Sequence, residues 1–436
     1  MKKVSSIILA MVILATGAQG LFASGAKDSG TATTVVEAKT KLTLIYWDPS
    51  HKEIQDKIHA MFIQENPGVS IEMEQVPGDQ YDQVLKTRLL AGNGPDVMFY
   101  WGAFINRYGK EGFYGDITTE NFTKNILPAY LSFATYNGKI YGVPLNVNTY
   151  GVFYDKVLFK KAGIAAMPKN YAEFLAICEK LKQAGITPLT RGAKDLWTGL
   201  HETGPLEANF VLGKNETFQY DLYTGKTTFA TNAGFRDYLK RYIELVEKDY
   251  FVKGALGLDH TQAMQLVADG KAAMSMFLSL GYGEIIGFNK DADIGYFPLP
   301  DDNGNVFWSG APDNGIGYWA KGKNMDLAKK LVGFYARPDI NQLFNETIQT
   351  LPCIKDANPK LAGPVTQLAV DLSKSKTLFT WFDGPWPMKA SDVYRSAIQG
   401  IHAGDKDIDK ICTALDKAYT ENKNDPAVMP VTASDR

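Results

Sequence analysis

The chain has 436 residues, 45% of them hydrophobic and 12% aromatic, enough apolar side chain for two or three packed domains. Its 46 lysines and arginines against 48 aspartates and glutamates exclude nucleic acid or an anionic membrane surface as the main partner. Three scattered cysteines, Cys178, Cys353 and Cys412, make no disulfide framework and read as buried thiols.

Lys2 and Lys3 precede an apolar run from Ile7 to Ala15 and then small residues through Ala26, the layout of a secretory signal peptide over residues 1–26. The run is too short to span a bilayer. With no cysteine near the cleavage region to carry a lipid, the expected product is a free periplasmic protein, not a lipoprotein. Residues 27–40, rich in Ser, Gly, Ala, Thr and Lys without periodicity, read as a flexible leader.

Order is expected from Lys41. Leu42 to Trp47 is nearly continuously apolar, as in a buried parallel strand. Ser50-His51-Lys52-Glu53 has the form of a capping box opening a helix with Ile54, Ile58, Met61 and Phe62 on one face. Val69, Ile71 and Met73 alternate with polar residues in a second strand, a helix follows from about Gln80, and Asp96 to Trp101 is a third strand. This βαβαβ order predicts parallel strands with right-handed crossovers. Gly138-Lys139 turns a hairpin, and Gly151 to Tyr154 is an aromatic strand. Asp155 then caps a helix closed by Gly163. A second α/β unit runs on with helices at Asn170–Ala184, around Phe235–Val246 and at Gln262–Ala268. A polar loop between the first two holds Trp197. Strands are expected at Lys271–Met276 and Ile294–Phe297, and Pro298-Leu299-Pro300 reads as a crossover by its proline geometry. Gly315–Ala320 and the helix Asn324–Ala336 return to the first unit, Leu351-Pro352 crosses again, and helices near Val365–Leu372 and Ser391–Ile401 complete the second.

The segment Pro144 to Lys161, with Gly151, Tyr154-Asp155, Phe159 and Lys161 in order, resembles the signature of the bacterial extracellular solute-binding proteins of family 1, the receptors of ABC-type sugar importers. Gly94-Pro95-Asp96-Val97, Gly138 to Pro144, Gly270 to Met274, Gly295 to Pro300 and Leu351-Pro352 extend the resemblance from Leu42 to about Tyr419. It implies an α/β, two-lobed periplasmic-binding-protein fold of type II: two doubly wound domains joined by crossover strands, with a ligand cleft between them. On that reading the N-terminal lobe is 41–147 plus about 301–350, the C-terminal lobe 148–300 plus about 351–422, and 423–436 a tail. The implied partners are a carbohydrate and the transmembrane and ATPase subunits of an ABC permease; the protein is expected to be a monomer without cofactor, metal or catalytic residue.

Open parallel sheets bind ligands beyond the carboxyl ends of their strands. Trp47 and Trp101 end the first and third strands, with Asp48 beside the former, and form a candidate platform for a sugar. Indole rings cover the C–H faces of a sugar, and carboxylates and amides satisfy its hydroxyls. The family pattern adds Asn148 as the connector residue expected to touch ligand, with Tyr150 nearby. Where relatives carry a Gly-Ser-Trp-like turn, this chain reads Leu278-Ser279-Leu280-Gly281-Tyr282, so Tyr282 is the candidate replacement. Trp197, the loop Trp308–Asp313 with Trp308 and Asp313, and the Asp-Gly-Pro loop flanked by Trp381 and Trp386 complete the candidate set. Trp319, within an apolar strand, is assigned to the core. The five dispersed histidines have no zinc spacing, and neither a phosphate loop nor a Gly-x-Ser-x-Gly elbow occurs. Asp195, Glu202 and Glu207 near Trp197 keep a secreted carbohydrate-active enzyme as the alternative, beside a ligand-presenting sensor of the same fold.

Overall fold

A computed structural model describes residues 40–101, 104–375, 378–424, 428 and 431. The expected signal peptide, all of the leader but Thr40, and nearly all of the tail lie outside them. The strands are β1 (Thr40–Tyr46), β2 (Val69–Gln75), β3 (Val97–Tyr100), β4 (Thr135–Tyr136), β5 (Lys139–Ile140), β6 (Val143–Pro144), β7 (Asn146–Asp155), β8 (Thr187–Leu189), β9 (Ala272–Leu278), β10 (Ile294–Phe297), β11 (Trp308–Pro312), β12 (Gly315–Tyr318), β13 (Leu351–Pro352) and β14 (Leu378–Phe379).

The first lobe is built on a sheet of order β2-β1-β3-β12-β6. β1 runs parallel to β2 and β3, as the βαβαβ reading predicts, and β12 is antiparallel to β3 and β6. Period-two alternation sorts the apolar strand residues into two layers. Leu42, Leu44, Tyr46, Val97 and Phe99 face one core with Ile54, Ile58 and Phe62 of the helix Lys52–Glu65. Ile45, Met98 and Tyr100 face the other with Tyr81, Leu85 and Leu89 of the helix Gly78–Leu90.

The second lobe has a sheet of order β14-β11-β7-β9-β8, with β10 and β13 also pairing to β7. Val152 faces a core shared with the helices Tyr171–Gln183, Leu196–Glu207, Ala233–Glu247 and Met388–His402, and Phe153 faces the opposite layer. Asp155 caps the following helix as expected, its Oδ1 accepting from Leu158 N at 2.9 Å, and Gly163 takes φ +68°. All three cysteines are free and buried. No helix among the described residues is long and apolar enough to cross a membrane.

Three segments pass between the sheets side by side. β6 runs into β7 through Leu145, β11 runs into β12 through Asp313-Asn314, and β13 pairs with the start of β7. Pro298-Leu299-Pro300 is not a crossover: Leu299 is buried in the second-lobe core and its carbonyl accepts from Asn209 Nδ2 at 2.9 Å. Proline geometry made that stretch extended but did not decide its sheet; the chain stays in the second lobe through β11.

Buried asparagines join the crossovers. Leu145 O accepts from Asn341 Nδ2 at 2.9 Å, Asn345 Nδ2 at 3.0 Å and Cys353 N at 3.3 Å. Asn146 Oδ1 accepts from Asn314 N at 2.9 Å, and Asn146 O from Asp313 N at 3.1 Å. Asn148 donates through Nδ2 to Asp313 Oδ2 at 2.9 Å, while its Oδ1 accepts from Ser279 Oγ at 2.8 Å and Leu280 N at 3.1 Å. Each bond holds a group that would otherwise be buried without water.

A second polar knot lies inside the second lobe. Glu207 is fully buried, and its Oε1 accepts from Thr203 Oγ1 at 2.6 Å and from the Tyr394 hydroxyl. Burial, reinforced by Asp383, pushes its carboxyl up to about 8, against the hydrogen bonds that favour the anion.

Two outcomes follow from these contacts. Asn148→Ala orphans Leu280 N–H and the Asp313 carboxylate, and equilibrium urea unfolding should register a loss of about 2–3 kcal/mol; an unchanged midpoint would remove Asn148 from the hinge. A raised Glu207 pKa gives stability that is complete below the ordinary carboxyl range and lost as pH rises through about 8. The melting temperature should therefore fall over that interval in the native chain and fall less in Glu207→Gln; equal slopes would count against the assignment.

Candidate functional site

The crossovers leave a set of aromatic and acidic side chains gathered around them from both lobes. On the first lobe, chain direction brings the ends of β1 and β3 together. The Trp47 and Trp101 rings stand 4.6 Å apart, edge to face, backed by Tyr81 at 5.2 and 5.4 Å and by Phe104 at 4.4 Å from Trp101. Both indoles keep part of their surface exposed, as a platform requires.

Asp48 is held beside them by the turn it makes. Its Oδ1 accepts from Ser50 N at 2.8 Å and Ser50 Oγ at 2.6 Å, capping the short helical turn Pro49–His51. The expected box at Ser50 is therefore absent: His51 takes the cap position of the next helix, without a side-chain cap bond. The other Asp48 oxygen lies 3.4 Å from His51 Nδ1, which in turn lies 2.6 Å from the Tyr46 hydroxyl. Tyr46 donates to Asn314 Oδ1 at 2.9 Å, connecting this wall to a crossover.

The second lobe supplies the other wall from the helix Leu196–Glu207. Trp197 sits in its first turn, not in a polar loop. Gly199, Gly204 and Pro205 argue against a helix by propensity, but the glycines are needed for packing. A Cβ on Gly204 would lie 2.3 Å from the Tyr150 ring, and one on Gly199 3.1 Å from Ile398. Trp197 lies 4.8 Å from the His260 ring, 5.8 Å from His201 and 5.9 Å from Phe277. Tyr150 and Trp381 continue the wall, their rings 5.3 Å apart and Trp381 5.5 Å from His201. Phe133 of the first lobe packs against the cluster formed by Tyr150, Phe277 and Trp381.

Asp313 lies on the crossover between the two walls. Burial raises its carboxyl to about 6, and the charges of Asp48 and Glu284 act in the same direction, against the Asn148 hydrogen bond and His51. His201 is driven down to about 3 by burial, then by the positive fields of Arg395 and His260, so its imidazole is neutral. Its Nδ1 lies 3.3 Å from the Tyr150 hydroxyl.

The structure thus gathers Trp47, Asp48, Trp101, Tyr150, Trp197, Asp313 and Trp381 around the crossovers. Asn148 is also there, fully buried, and it positions Asp313: one Nδ2–H goes to the Asp313 carboxylate while Oδ1 accepts from Ser279 and Leu280. Three expected residues are elsewhere. Trp386 is buried between Phe229, Phe382 and Tyr394, with Nε1 donating to Gln219 Oε1 at 2.9 Å. Trp308 is buried in the layer under Phe153, and Tyr282 packs beside that layer near Lys156 and Asp293. Trp319 is in the first-lobe core as assigned. The acids near Trp197 turn away from the walls: Glu202 pairs with fully buried Arg191 at 2.5 Å, Glu207 is in the knot described above, and Asp195 Oδ2 accepts from His260 N at 2.8 Å. His51, His201, His260 and Glu284 were missed because they come from four separate elements, and no spacing in the sequence joins them.

Residues 48–342 match the family described as bacterial extracellular solute-binding protein. The chain is 26% identical over 392 residues to an uncharacterised ABC transporter extracellular-binding protein of Pyrococcus horikoshii, covering 86% of this chain and 85% of that one. It is 25% identical over 356 residues to the multiple sugar-binding protein of Streptococcus mutans, covering 79% and 83%. Among solved structures, a chitin oligosaccharide binding protein superposes with a TM-score of 0.79 at 23% identity, over 88% of this chain and 98% of that one. A solute-binding protein in complex with raffinose gives 0.77 at 23% identity, over 88% and 99%. The fold is the two-lobed, type II binding-protein architecture, and the chain belongs to the bacterial extracellular solute-binding protein family.

Proposed function

We propose that the protein captures a sugar or oligosaccharide between its lobes and delivers it to the permease of an ABC importer. The observation that carries this reading is the pairing of the Trp47–Trp101 platform with the Trp197–Trp381 wall across a crossover bearing Asp313. Rings on two sides can bury both faces of a pyranose, and the carboxylates of Asp48 and Asp313 accept its hydroxyls. The relatives named as a multiple sugar-binding protein and as a raffinose complex support the same ligand class. Crossovers of three short segments suit closure by a hinge, and ligand favours the closed form by its extra contacts there. The protein performs no catalysis on this reading, since Glu202 and Glu207 are engaged within the second lobe. Its N-terminal stretch directs export and is cleaved, and the soluble receptor works in the periplasm as a monomer.

The reading is tested by a thermal-shift screen of the whole chain against mono-, di- and oligosaccharides, polyols, amino acids and polyamines. A selective rise in melting temperature with one carbohydrate, without turnover of it, is expected; silence across all carbohydrates with a shift from another class would sink the assignment. Trp101→Ala should raise the Kd for that sugar roughly tenfold or more while leaving the circular dichroism spectrum unchanged. Ionised Asp313 is the stronger acceptor, so affinity should rise as pH passes upward through about 6. Asp313→Asn should flatten that rise in calorimetric titrations.

A further inference from the structure

His260 opens the helix His260–Ala268, and its ring is set between aromatic faces, 4.6 Å from Phe277 and 4.8 Å from Trp197. Its Nε2 lies 2.7 Å from Glu284 Oε2, which fixes both ring orientation and the proton on that nitrogen. The other nitrogen, Nδ1, is buried with no protein partner, although the residue is only 9% exposed. One nitrogen thus anchors the ring to Glu284, and the other is a buried polar atom left without a partner, which is costly unless something else meets it.

We propose that His260 is a ligand-binding residue of the second lobe, offering its Nδ1–H to an acceptor oxygen of a carbohydrate lying against Trp197. This rests on the carbohydrate reading above and adds to it a named donor on the second-lobe wall, close enough to Asp48 of the other lobe to feel its charge. Such a donor selects for an ether, hydroxyl or acetamido oxygen at one ligand position, where an all-acceptor wall would not. The charges around the ring favour the donor form. Burial opposes the imidazolium, but Glu284 from the neighbouring helix, Glu202 from the Trp197 helix and Asp48 from the facing lobe together hold its pKa above the ordinary value. Asp195 accepts from its backbone N–H, Asp259 precedes it as the helix cap, and His201 stands on the same wall in its neutral form. With Nε2–H committed to Glu284, loss of a proton turns Nδ1 from donor to acceptor, so affinity falls as pH rises through that raised value. This alkaline limb is separate from the acid limb set by Asp313.

The test is calorimetric titration of the whole chain with raffinose, stachyose, xylotriose and chitotriose between pH 5 and 9. His260→Phe keeps the ring contacts but drops both nitrogens, the Glu284 bond included, so it is read against Glu284→Gln, which leaves Nδ1 in place. His260→Phe should raise the Kd of the tightest of these sugars about tenfold at pH 6.5 and abolish the alkaline limb. Glu284→Gln still accepts from Nε2–H but withdraws the charge, and should move the alkaline limb to lower pH. Native affinity and an unchanged pH profile in His260→Phe would overturn the proposal while leaving the carbohydrate reading intact, as would an unmoved limb in Glu284→Gln. A wild-type chain silent to these four sugars and to every carbohydrate of the thermal-shift screen would overturn both.

Discussion

Three lengths of backbone cross between two lobes at one place, and their polar groups must be satisfied where water does not reach. That constraint organises the molecule. Asn146, Asn148, Asn341 and Asn345 are buried there, and the carbonyl of Leu145 alone accepts from two of them. Asparagine suits the position because one short side chain both donates and accepts, so it can bridge strands that meet out of register. A glutamate or lysine in the same place would carry a charge into the hinge, and an alanine would leave neighbouring amides without partners. The carboxylate of Asp313 is held at the centre of the site by this network, and its raised pKa follows from the same burial.

Much of the fold was legible in the sequence because its elements obey strong local rules. The parallel pairing of β1 with β2, the Asp155 cap and the left-handed Gly163 all appear where the pattern puts them. What escaped had tertiary causes. The helix carrying Trp197 contains two glycines and a proline, and only the nearness of Tyr150 and Ile398 explains why small residues are required. The return to the first lobe falls at Asp313-Asn314 because β11 pairs with β7 and β14, and pairing over two or three residues has no sequence period to detect.

The site was legible in part, and for one reason. Residues placed by strand ends, such as Trp47 and Trp101, were found because a parallel sheet fixes where its carboxyl ends lie. Residues placed by the composition of a loop, such as Trp308 and Trp386, proved to be buried packing groups. Histidines were discounted for lacking metal spacing, yet His51, His201 and His260 each stand against a carboxylate or a ring of the two walls. Tertiary proximity, not interval along the chain, gives them meaning.

The amide of Asn148 also bears on which parts of the molecule travel together. Asn148 is bonded at once to Asp313 and to the Ser279-Leu280 turn that ends β9. Asp313, though it lies on a crossover, is thereby carried in the reference frame of the second lobe. Leu145, bonded to Asn341 and Asn345, and Asn314, bonded to Tyr46, are fastened to the first lobe, so bending on the proposed closure falls between them and this clamp. On the proposed closure the moving object in that frame is the first lobe, and Asp48 with its tryptophan pair would swing toward a stationary carboxylate. The proposed site would then be a fixed anvil and a travelling jaw, with the pivot on the first-lobe side of Asp313.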